Sequence, residues 1–241
     1  MLGSGGYVPT DRRETACALV RDGNEALCID AGRGTRRLLA DRTLLTGVER
    51  LHVVLTHFHL DHILGLFFLP AVEVPVEIWA GGRALEAIPN EELLRRVLGP
   101  PFAPQTFVSA FAAINELGVG DVSIGPFDLR TRIQQRHSNP TLALRFADEL
   151  VWCTDTAYDE ENVDFARGVR LLCHEAFYPS DRTDDRGHTA SGEAARSAAA
   201  AGVDRLVLIH VNPALDHEEQ MLLHARRAFA ATEVARDGSA V

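Results

Sequence analysis

None of the 241 residues falls in an apolar run approaching the roughly 20 that a membrane-spanning helix needs. The opening Met1-Leu2-Gly3-Ser4-Gly5-Gly6 has no basic segment and no long apolar stretch, so no signal peptide and no membrane partner are expected. The cytoplasm is the expected location. No Cys-x-x-Cys pair occurs. Cys17, Cys28, Cys153 and Cys173 are scattered through apolar, strand-like runs, which argues for reduced, buried thiols and against a disulfide framework or a thiolate metal site. Net positive charge is lacking: 34 acidic residues against 24 basic ones give a formal net charge of -10, which argues against a broad basic surface for nucleic acid. Gly3-Ser4-Gly5-Gly6 is not followed by Gly-Lys-Ser/Thr and reads as a tight turn rather than a phosphate loop. No linker, low-complexity tract or charge block divides the chain, so 1–241 is expected to be a single domain.

What is present is an ordinary globular composition, 46% hydrophobic and 24% charged, with a repeated strand and helix rhythm. Ala16 to Val20 and Ala26 to Asp30 read as strands around the turn Asp22-Gly23-Asn24. Arg36 to Leu45 has helix-spaced leucines, Leu51 to Leu55 is a buried strand, Ile63 to Leu69 a short apolar helix and Val76 to Ala80 another strand. From Pro89 to Gly120 the pattern changes. Glu91 to Leu98 is helical and stopped by Gly99-Pro100-Pro101, and Phe102, Phe107 and Phe111 follow. This stretch, 89–120, reads as an excursion over a pocket, facing substrate. Further strands are expected at Phe127 to Gln134, Leu142 to Phe146, Leu150 to Cys153, Arg170 to Cys173 and Leu206 to Ile209. Helices are expected at Glu160 to Ala166, Ser191 to Ala201 and His217 to Ala231. Two strand-rich halves with helices suggest two sheets packed face to face; periodicity alone supports an α/β or α+β domain.

Histidine carries the chemistry. There are ten, and three fall within six positions in Thr56-His57-Phe58-His59-Leu60-Asp61-His62, directly after a strand. Imidazole and carboxylate are ordinary ligands of zinc and of other borderline divalent ions. His57 and His59, alternating in an extended segment, can face one way, while Asp61 and His62 face another as the chain turns into a helix. Four ligand-type residues so placed suit two adjacent ions better than one. Further candidates follow strands: His137, Asp155 and His210. Ligands at the ends of several strands let a rigid sheet build a site. His52, His174, His217 and His224 have no assigned partner and read as structural or solvent-exposed; Arg182 and Arg186 read as solvated loop residues.

The order of these residues resembles the metallo-β-lactamase fold superfamily, and within it the ribonuclease Z and phosphodiesterase branch. The likeness also rests on Leu2 to Thr10, Arg12-Arg13-Glu14-Thr15, Ile29-Asp30-Ala31-Gly32, His174-Glu175-Ala176-Phe177, Gly187-His188-Thr189 and Leu206 to His210. It implies an α+β fold, an αββα four-layer sandwich of two mixed sheets with helices outside and metals at one edge. Carried over by position, it implies that His57, His59 and His137 hold one ion, that Asp61, His62 and His210 hold a second, and that Asp155 bridges them. Glu175 and His188 match an acid pair in which the glutamate orients a histidine that protonates the leaving group. The implied activity is hydrolysis of a phosphodiester by water activated between two ions, with Asp61 orienting that water. Zinc suits the His-rich set, and manganese or iron(II) fits the same donors.

Two departures bear on substrate. Only the 17 residues Ser138 to Thr154 separate His137 from Asp155, and they read as two strands and a tight turn at Ala147-Asp148-Glu149. The arm with which ribonuclease Z enzymes grip transfer RNA does not fit there. His137-Ser138-Asn139-Pro140-Thr141 also lacks the glycine-containing form expected in that branch. A small-molecule or nucleotide phosphodiester is therefore favoured over transfer RNA. The alternatives are a 3′-tRNA-processing endoribonuclease, a hydrolase of esters, lactones or thioesters, and a metal-binding accessory protein without turnover. A homodimer is compatible with all of them.

Overall fold

The computed structural model describes residues 1–241. β1 (Ala18–Asp22) and β2 (Glu25–Ile29) form the expected hairpin, turning through Gly23 at φ 56°, a backbone conformation that favours glycine. α1 (Arg37–Ala40), β3 (Arg50–Leu55), α2 (Leu60–Ile63), β4 (Val76–Ala80), α3 (Asn90–Leu98) and β5 (Ala113–Glu116) follow. The second half contains β6 (Gly120–Ile124), β7 (Phe127–Gln134), β8 (Thr141–Phe146), β9 (Leu150–Cys153), α4 (Glu160–Phe165), β10 (Leu171–Glu175), α5 (Ser191–Ala201), β11 (Arg205–Ile209), α6 (Glu218–Arg226) and β12 (Thr232–Val234).

The strands make two mixed sheets, β1-β2-β3-β4-β5 and β12-β11-β10-β9-β8-β7-β6. The β2 to β5 neighbours are parallel, as are β9 to β12, while β6 to β9 pair antiparallel. Strand sequence explains the layering. Leu51, Val53 and Leu55 of β3 join a core with Ile63, Leu66 and Leu94 under the first helices, while Val54 faces the other way. Such a strand is buried on both faces and reads as a continuous apolar run. The middle core, between the sheets, joins Leu27, Ile29 and Val54 to Leu144, Trp152, Cys173 and Ile209. The third lies between the second sheet and α5, whose Ala194, Ala195 and Ala198 let the helix sit close. Three cores separate four layers, the αββα sandwich that the family resemblance implies.

Local readings needed correction. Arg36 to Leu45 is not one helix: Asp41 is extended and its carboxylate takes the Thr43 N–H at 3.0 Å, which ends α1 and starts a new turn. α6 ends at Arg226 rather than Ala231, and the chain then supplies edge strand β12. Within 89–120, Val108 and Phe111 enter the first core and β5 extends the first sheet. Gly3 to Gly6 is not a tight turn. It is an extended strap in which Gly3 pairs with Cys17, and Gly5 pairs with Thr15 and Val211.

Candidate metal centre

Strand ends converge at one edge of the sandwich, on the side where β2, β3, β9, β10 and β11 finish. His57 to His62 follow β3, Asp155 follows β9, Glu175 closes β10 and His210 follows β11. Asp30, Asp155 and His210 take positive φ values of 58°, 50° and 52°. Left-handed backbone at non-glycine residues is costly and tends to gather at functional sites, where the surrounding structure enforces it. Asp30 and His210 lie immediately beyond a strand end and Asp155 one residue further, where the chain turns sharply into the cluster.

Donor atoms of His57, His59, His137 and Asp155 lie within 4.8 Å of one another, as do those of Asp61, His62 and His210. The outward nitrogens are occupied. His62 Nδ1 donates to Asp30 Oδ2 at 2.9 Å, and His137 Nδ1 donates to the Gly187 carbonyl at 2.7 Å. His59 Nε2 donates to Asn139 Oδ1 at 3.3 Å, and His57 Nδ1 to Thr56 Oγ1 at 3.1 Å, that hydroxyl itself donating to Asp30. In each ring the proton is held outside, so the inner nitrogen presents a lone pair. The inner nitrogens converge: His137 Nε2 is 3.2 Å from His59 Nδ1, and His62 Nε2 is 3.2 Å from Nε2 of His210, whose own Nδ1 is buried with no hydrogen-bond partner. His57 Nε2 is buried with no hydrogen-bond partner and lies 4.0 Å from Asp155 Oδ1. Facing lone pairs and an orphaned buried nitrogen are what divalent cations between them would satisfy, so the residues fit such ions.

A profile of the Beta-lactamase superfamily domain matches residues 26–211. Ribonuclease Z from Methanopyrus kandleri is 31% identical, over 98% of this chain and 94% of that protein. The chain belongs to the metallo-β-lactamase superfamily, in its ribonuclease Z-like branch. Among solved structures, the metallo-β-lactamase fold protein YhfI from Bacillus subtilis has a TM-score of 0.79 at 21% identity, covering 99% of this chain and 95% of that one. A diphosphatase from the PhnP family has a TM-score of 0.74 at 19% identity, covering 99% and 94%. At these identities the likeness is one of fold.

The electrostatics of this site favour added positive charge. Burial would raise Asp155, but His210, His62 and His57 hold it well below the usual carboxylate range. Burial likewise opposes Asp61, which His62 and His210 hold low. His57 is pushed well down, by burial and then by His62, and stays neutral. His62 goes the other way: burial lowers it, but Asp155, Asp30 and Asp61 outweigh burial and raise it. The buried Asp155 and Asp30 and the partly exposed Asp61 thus favour positive charge at His62, which a bound cation would supply in place of a proton.

Glu175 and His188 come together beside these residues. Glu175 Oε1 takes the Thr156 backbone N–H, and Oε2 meets His188 Nδ1 at 3.0 Å. Burial pulls the His188 imidazole down, but the Glu175 carboxylate outweighs it and lifts the value to about 9. His188 also lies within ligand distance of Asp155 and His210. Every predicted site residue therefore converges on one locality. The sequence reading missed the supports: Asp30, Asn139, the Gly187 carbonyl and the Tyr7 N–H, which donates to Asp61 Oδ2 at 2.8 Å. It also missed why Gly6 is glycine, since a Cβ there would run into the His210 ring. His52, read as unpartnered, is buried with Nε2 2.6 Å from Glu25 Oε2 and Nδ1 3.5 Å from Glu77 Oε2. No helix is long and apolar enough to cross a membrane.

Proposed function

We propose that this chain is a binuclear metal-dependent phosphodiesterase acting on a small-molecule or nucleotide phosphodiester. The carrying observation is that four histidines have their outer nitrogens tied to acceptors, so that their inner lone pairs converge. His57, His59 and His137 would hold one ion, Asp61, His62 and His210 the other, and Asp155 would be shared. Zinc best suits this donor set, with manganese and iron(II) the competing choices. When bound, the two ions lower the pKa of water between them and stabilise charge on a phosphoryl oxygen.

The chain's own residues supply the rest. Asp61 commits Oδ2 to the Tyr7 N–H and His210, leaving Oδ1 without a protein partner and able to accept a proton from the attacking water. His188, with Nδ1 on Glu175, carries its second proton on Nε2. As the ester P–O bond breaks, that proton passes to the departing oxygen. An alkoxide leaving group needs such a donor, which favours phosphodiesters over β-lactams.

The compact substrate is supported by the hairpin between His137 and Asp155. β8 and β9 fill that interval, joined by residues 147–149. The alignment with the M. kandleri ribonuclease Z runs over 285 positions, so that relative carries segments this 241-residue chain lacks. The same likeness supports a second reading, cleavage at an RNA 3′ end. Elemental analysis should give two transition-metal ions per chain. Chelation should abolish hydrolysis of bis(p-nitrophenyl) phosphate, with little turnover of lactones or thioesters. Metal-free protein that stays active after chelation would end this reading.

A further inference from the structure

The loop between β10 and α5 is bonded more closely than a simple connection requires. Tyr178 donates its O–H to Asp185 Oδ2 at 2.5 Å, and the Gly187 N–H donates to Asp185 Oδ1 at 2.6 Å. Burial, and then the Asp185 carboxylate, push the Tyr178 phenol up to about 12, so it remains a donor. The residues held by this clasp are the ones that touch the site. The Gly187 carbonyl orients His137 at 2.7 Å, and the next residue, His188, meets Glu175 at 3.0 Å. Phe177, beside Tyr178, stacks on the His188 ring with centroids 4.1 Å apart and planes 13° apart. Gly187 is wedged in place: a Cβ there would lie 3.3 Å from Asp185 Oδ1 and 3.4 Å from His137 Nδ1. Asp185 itself is exposed, so core packing does not account for these bonds.

We propose that Asp185, clasped by Tyr178, is a positioning residue that sets His137 and His188 together. One surface carboxylate fixes the turn that aims the Gly187 carbonyl at a metal-ligating ring and His188 at Glu175. Metal affinity and proton donation are then coupled through a single loop. The His188 half rests on the function proposed above; the His137 half rests only on metal binding.

The test uses full-length Asp185→Ala, Asp185→Asn and Tyr178→Phe. Zinc is titrated into metal-free protein against a chromophoric chelator, and kcat is measured on bis(p-nitrophenyl) phosphate and on a 2′,3′-cyclic nucleotide. Asp185→Ala should weaken one of the two zinc ions by about 10- to 100-fold, the range for outer-shell supports of metal ligands. It should also lower kcat more on the cyclic nucleotide, whose leaving group is an alkoxide, than on the nitrophenyl ester. Asp185→Asn should recover most of both losses, because its amide can accept from Gly187 and donate to the Tyr178 oxygen. Wild-type affinity for both ions in Asp185→Ala would overturn the proposal, as would Asp185→Asn being equally damaging. If Asp185→Ala also loses thermal stability, Tyr178→Phe, which deletes one oxygen, decides by the same titration. Wild-type protein that binds two zinc ions but hydrolyses neither ester refutes the phosphodiesterase reading alone, and the zinc titration still tests the clasp.

Discussion

Asp30→Asn removes a charge and changes one atom, yet it should disable a ligand more than 30 residues away in sequence. Asp30 is fully buried, and its two oxygens have different duties. Oδ1 accepts the Thr56 N–H at 2.7 Å and the Thr56 O–H at 2.9 Å, while Oδ2 accepts His62 Nδ1–H at 2.9 Å. An amide has one oxygen and one donor nitrogen. If the nitrogen faces Thr56, two donors oppose each other in a dry site, an unmade bond costing about 1–3 kcal/mol. If it faces His62, Nδ1 must become the acceptor, the proton moves to Nε2, and the inner lone pair is lost. Either way the Asp61, His62 and His210 set should bind metal about 10- to 100-fold more weakly, equivalent to about 1.4–2.7 kcal/mol. The other set should be nearly unchanged. Competition with a chromophoric chelator resolves the two constants, and elemental analysis after dialysis checks the stoichiometry. Two ions held in Asp30→Asn with wild-type affinities would refute the tautomer argument.

Three further outcomes are expected. His188→Ala should retain both ions and lose about 100- to 10,000-fold in kcat on an ester with an alkoxide leaving group, but little on a nitrophenyl ester; equal losses on both would exclude proton donation. Precursor transfer RNA should bind weakly at physiological salt, given the net charge of -10 and the short β8–β9 hairpin, and submicromolar binding that collapses with added salt would reverse the substrate preference. Stability should fall above pH 9, because burial pushes the Cys173 thiol from 9.0 to about 12 and raises Cys153 as well. The folded state holds these protons more tightly, so their contribution is complete below the unfolded value and is lost as pH rises through the folded one. At pH 10.5 one such thiol alone accounts for about 2 kcal/mol, read as a lower urea midpoint, and a midpoint that climbs between pH 9 and 10.5 would contradict it.

How much was legible follows from how far each signal reaches along the chain. His57, His59, Asp61 and His62 stand together after a buried strand, so local sequence showed both the ligand chemistry and its place at a strand end. Asp155 and His210 were visible as polar residues closing apolar runs, and His137 as a ligand-type residue soon after β7. The interior strands β3, β9 and β11 announced themselves because a strand buried between layers must be apolar nearly throughout, and β7 because its apolar and polar residues alternate. β5, β6 and β12 did not: all three edge their sheets, all are short, and Asn115, Asp121 and Glu233 dilute their pattern. The end of α6 was missed because no glycine or proline interrupts residues 227–231, and docking of β12 onto β11 determines where the helix stops. Sequence alone determined the donor set and the short interval between His137 and Asp155, while the layered sandwich was implied only through the family resemblance. Tertiary structure alone decided which nitrogen His59, His62 and His137 turn inward. That choice depends on Asp30, Asn139 and Gly187, between 32 and 80 residues from the rings they orient, and no local pattern encodes a hydrogen bond across such a span.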